Sequence, residues 1–136
     1  MGAWSHEPFG NDTSNDWAYE LEESNDMSHI EAALDKVLEQ GSEYLEAPDA
    51  EEAVGAVEVL AKLLGRGTQS DSYTEKVDDW IKSIDQKPSP ALLQKARQVI
   101  ERILAEDSEL LELWQESEEF KEWHASMSKL LEAVNV

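Results

Sequence analysis

His6, Glu7, Asp12 and Asp16 are the one grouping in this sequence whose residue types suit a metal centre or an acid–base site. An imidazole and three carboxylates could hold a divalent cation through nitrogen and oxygen. Asp12, Asp16 and Glu20 stand at i, i+4 and i+8, so a helix there places three carboxylates on one face. The same acids also suit a plain helix start, where they complement the helix dipole. No His-x-x-x-His or Glu-x-x-His pair supports a metal centre elsewhere. The reading carried forward therefore has no metal and no cofactor. A small metal-dependent enzyme or ligand-binding domain built on these four residues is the alternative.

No catalytic residues are assigned. His124 shares a helical stripe with Ser117, Phe120, Met127 and Leu131, which suits a core or boundary histidine, and no Asp is placed by sequence to orient it. His29 has no companions. Gly65-Arg66-Gly67 is a helix stop and turn, without the lysine and following helix of a phosphate loop.

Helical punctuation dominates the segments that must position these residues. A first helix is expected from about Asp12 to Glu23, with Trp17 and Leu21 facing inward. Ser28 with Glu31 reads as a capping box, followed by Ile30, Ala33, Leu34, Val37 and Leu38 at helical spacing and a stop at Gly41. Asp49 is the expected N-cap of a central, mostly apolar helix ending near Leu64, with Glu51, Glu58 and Lys62 as a narrow polar strip broken by Gly55. Tyr73, Val77, Trp80, Ile81 and Ile84 mark a fourth helix; Ser89 and Pro90 open a fifth. From Ser108 onward, Leu110, Leu113, Trp114, Phe120, Met127, Leu131 and Val134 recur at near-heptad spacing. Strand signals are nearly absent, so residues 1–136 read as a single all-α, bundle-like domain of about six helices. Residues 1–10 are the non-helical part. Trp4 and Phe9, set among Gly2, Pro8 and Gly10, read as anchors of an arm packed on the core, with Trp17 beyond them.

The chain carries 31 acids and 11 bases, a net charge of −20. Sixteen of the acids and one base, Lys36, fall between Met1 and Ala61, so the negative field is concentrated in the first half. A field of one sign repels nucleic acid and anionic lipid and draws in cationic partners. The chain has no Cys, which excludes thiol catalysis and disulfides. No secretory signal and no membrane-length apolar run is visible, and a cytoplasmic protein is expected.

The opening MGAW-x3-PF-x-ND-x3-DW, together with SELLELW at Ser108 to Trp114 and Trp123 beyond it, resembles the bacterial family known as domain of unknown function 4259. Val57 to Arg66 is similar in character. The family has glycine where this chain has Ser5, often glycine again at Glu7, and alanine near Ser14. The resemblance implies no mechanism.

Together these readings point to a non-enzymatic acidic binding protein, of the kind represented by bacterial immunity proteins that neutralise a basic toxin or effector domain. Its candidate contact residues are Asp12, Asp16, Glu20, Glu22 and Glu23, with a basic protein as partner and neither nucleic acid nor membrane as target. A helical homo-oligomer whose acidity serves solubility is a further alternative.

Overall fold

The computed structural model describes residues 3–135. Among the described residues seven α-helices follow one another: α1 (Asp12–Leu21), α2 (Ser28–Leu38), α3 (Ala47–Leu63), α4 (Glu75–Ser83), α5 (Pro90–Ile103), α6 (Glu109–Gln115) and α7 (Phe120–Ala133), with a 3-10 turn at Ser72–Thr74 before α4. The fold is all-α, and α3 is its axis. Every other helix closes around it: α1, α2, α4, α5, α6 and α7 all touch α3. That arrangement follows from composition, since thirteen of the seventeen residues of α3 are buried.

Helix ends were placed by chemistry that differs in part from the expected caps. Asn11 caps α1, its side chain accepting from Ser14 N, and α1 stops at Leu21 rather than Glu23. Ser28 is the first residue of α2, not its cap; Asp26 Oδ1 instead accepts from both Ser28 N and Ser28 Oγ. Helix α3 begins two residues before Asp49, with Pro48 in its first turn. There Glu109, from α6, accepts from Ala47 N at 2.7 Å, so a distant carboxylate caps this helix and no local signal could announce it. Ser89 and Pro90 open α5 as the sequence predicts.

The last segment is two helices, not one. A turn at residues 116–119 lets α7 fold back, which stacks Trp114 on Trp123 with centroids 5.9 Å apart and planes at 7°. The buried stripe of α7 is therefore Trp123, Met127, Leu130 and Ala133. Phe120 and Leu131 are only partly buried, and His124 is exposed, its ring against Phe120.

The arm is ordered by its own backbone. Ala3 and Asn11 form an antiparallel bridge, Trp4 N donates to Gly10 O at 2.8 Å, and Gly10 N donates to Glu7 O at 2.9 Å. Among the described residues Asp107 is the non-glycine residue with positive φ. Ser5 and Glu7 thus need none of glycine's freedom, and Ser5 Oγ accepts from Glu7 N at 3.2 Å to hold the turn.

Candidate functional site

The polar strip of α3 is not a solvated strip. Glu51 is 8% exposed and Glu58 0%, and Lys62 is nearly as covered. What covers them is the arm and the loop between α3 and the 3-10 turn. Phe9 is fully buried over Gly55, its Cε1 3.2 Å from where a Cβ would stand. Glu58 accepts from Thr68 N, Thr68 Oγ1 and Gln69 N, each at 2.8 Å. Gln69 in turn accepts from Phe9 N at 2.8 Å and donates to Asp71. Lys62 binds Gln69 O and pairs with Asp78 of α4 at 2.8 Å. One network therefore joins central helix, loop, arm and α4. Burial pushes the Glu58 carboxyl above its ordinary range, opposed by the three donors it faces. Its groups are spent on one another, so the chemistry here is structural.

Under the arm lies a cavity of about 20 Å³, lined by His6, Glu7, Asn11 and Glu51 and by Trp114 and Trp123. That volume holds about one water. His6 Nδ1 is buried without a partner. Burial raises the Glu51 carboxyl to about 7, with the Thr13 hydroxyl pulling the other way and Glu109 and Asp12 adding repulsion. A titratable carboxyl and an imidazole thus line the same one-water space.

The metal grouping is not formed. Among the described residues no three His, Asp or Glu side chains come together in a way that could hold a cation. His6 and Glu7 belong to the arm, whereas Asp12 and Asp16 point outward from α1. The backbone reason is that the arm turns back on itself between Ala3 and Asn11 before α1 begins.

The remaining sequence-predicted residues do share a face. Asp12, Asp16, Glu20, Glu22 and Glu23 are all exposed, on the outward side of α1 or just past its end. Trp17, Ala18 and Leu21 occupy the opposite side and are buried. Among the described residues none of the five acids forms a salt bridge; the pairs that do form use Lys36, Lys62 and Lys95 with other acids. Tyr19 stands among them, 60% exposed, with Lys76 Nζ 4.3 Å above its ring.

The three aromatic anchors separate. Phe9 and Trp17 are core residues, Trp17 stacking on His29 at 4.9 Å. Trp4 is not an anchor in that sense: it is 46% exposed, lying against an equally exposed Tyr73. Sequence reasoning had no hint of this pairing, because the two residues meet only once the arm has crossed α3. In the acidic C-terminal run Trp114 and Trp123 are buried, at 4% and 3% exposed, and present no aromatic surface. Glu51 and Glu58 were visible as polar breaks in an apolar helix, which was the available signal for something polar covering them.

No helix among the described residues is long and apolar enough to cross a membrane. No curated protein and no solved structure matches the chain. Residues 2–126 match the family described as domain of unknown function (DUF4259), and over nearly its whole length the chain belongs to that family.

Proposed function

We propose that this is a non-enzymatic, cytoplasmic binding protein that neutralises a basic protein, in the manner of a bacterial immunity protein capping a toxin or effector domain. The observation that carries this reading is the outward face of α1 and the residues just past its end, where five carboxylates stand exposed around Tyr19 and, among the described residues, form no salt bridge. With a net charge of −20, the protein attracts a cationic partner over a long range, and unpaired carboxylates on a rigid helix need little desolvation of existing pairs to dock. A rigid surface also binds with a smaller ordering cost than a flexible tail.

The test is affinity capture from a lysate of the source cell with two baits, the wild type and the D12N/D16N/E20Q variant, each at low and at high salt. A basic protein held by the wild type at low salt, and lost with either the variant or the salt, supports the reading. A partner held equally by both baits, or no basic protein at all, overturns it.

A further inference from the structure

Four of the five tryptophans of this chain are buried: Trp17, Trp80, Trp114 and Trp123 are each 5% exposed or less. Trp4 is 46% exposed, and its ring lies against Tyr73, also 46% exposed, with centroids 5.1 Å apart and planes inclined at 39°. Neither ring sits on a loose segment. Trp4 is fixed by its hydrogen bond to Gly10 O and by the neighbouring Ala3–Asn11 bridge. Tyr73 belongs to a 3-10 turn closed by a reciprocal cap between Asp71 and Thr74, and Asp71 Oδ1 accepts from Tyr73 N at 2.9 Å. The pair is held open and in place.

The surroundings say what it would hold. Asp71 and Glu75, both exposed, flank Tyr73 along the chain. One helical turn on, Lys76 lies 4.3 Å above the Tyr19 ring, and Tyr19 belongs to the acidic face of α1. Trp4 thus meets Tyr73, and three residues beyond Tyr73 the chain already seats one cation, Lys76, on an aromatic ring.

We infer that the inclined Trp4–Tyr73 pair is an anchoring notch for an arginine side chain of the basic partner. This rests on the proposed function for the sign of the partner's charge. A guanidinium stacks flat on an aromatic ring while its edge N–H groups still reach carboxylates, which an ammonium does less well. Trp, Tyr and Arg are also the residues on which binding energy concentrates at protein interfaces. An apolar guest would have to desolvate the flanking carboxylates for no return.

The experiment titrates the full chain with oligoarginine and oligolysine peptides of equal length at low salt, by calorimetry, and follows tryptophan emission. Because the other tryptophans are buried, quenching in the wild type reports on Trp4. The expected result is oligoarginine binding about threefold to tenfold tighter than oligolysine. W4A and Y73A bring that ratio close to one while leaving oligolysine affinity nearly unchanged, with circular dichroism confirming that both variants fold and W4F retaining part of the preference. D12N/D16N/E20Q weakens both peptides alike and keeps the ratio. Equal binding of the two peptides by the wild type, or a preference that survives both W4A and Y73A, overturns the notch and leaves the acidic-face reading standing. Failure of both peptides to bind the wild type overturns the notch and the acidic-face reading together.

Discussion

The Phe9 ring packs tightly over Gly55, its Cε1 lying 3.2 Å from where a Cβ would stand. The arm therefore reaches the core through a gap left in the central helix. Ser14 Cβ stands almost as close, at 3.4 Å. G55A gains helix propensity of up to about 1 kcal/mol but crowds a fully buried ring. The expected net result is a loss of about 1–2 kcal/mol by urea unfolding. F9A removes the ring itself and should cost about 3–5 kcal/mol. A G55A variant more stable than wild type would show that the arm does not pack tightly there.

Glu58 secures the loop that holds this arm. An amide at position 58 keeps one good acceptor but turns an N–H₂ group towards donors. E58Q should lose about 1–3 kcal/mol, and E58A more, because three donors on Thr68 and Gln69 lose their shared acceptor. Limited proteolysis should then cut first within residues 65–72, ahead of any other loop. Unchanged cleavage in E58A would mean the loop is held by other contacts.

The carboxyl of Glu51 gives the stability a definite pH dependence. Its pKa is raised from 4.5 to about 7 in the native state, so the native chain keeps a proton that the unfolded chain has released. The sign follows: stability falls as pH rises from about 4.5 to 7 and the loss is complete above it. E51Q carries no charge to bury and should flatten this slope. Relative to wild type it should gain on the order of 1 kcal/mol at pH 8 and nothing at pH 4. An equal effect at both values would assign the change to packing and not to proton linkage.

Salt should stabilise the protein. Self-repulsion from a net charge of −20 outweighs the few exposed pairs, such as Lys36 with Glu52 and Lys95 with Glu31, that screening would weaken. The melting temperature is expected to rise by several degrees from low to physiological ionic strength, corresponding to about 1 kcal/mol. D12N/D16N/E20Q should reduce that rise, since it removes repelling charge from one face.

Much of the fold was legible because helical spacing and Ser, Asn and Pro punctuation act locally. Trp17 and Leu21, the Ile30-to-Leu38 stripe and the Ser89-Pro90 start all lie where the periodicity places them. The misses were non-local. Glu109 caps α3 from a helix far along the chain, and the fold-back at residues 116–119 shifted the inner stripe of α7 away from His124. The site divides the same way. The acids of α1 face outward as their spacing implies, but the meeting of Trp4 with Tyr73 and the burial of Glu51 and Glu58 depend on where the arm crosses.

The central claim is that the outward face of α1 is where a cationic partner docks. Titrating isotopically labelled protein with a basic peptide, and following amide chemical shifts, tests it most directly. The account predicts shifts concentrated at Asp12, Asp16, Tyr19, Glu20, Glu22 and Glu23, fading as salt is added. Shifts spread evenly over the surface, or centred on the acids of residues 109–122, would contradict it.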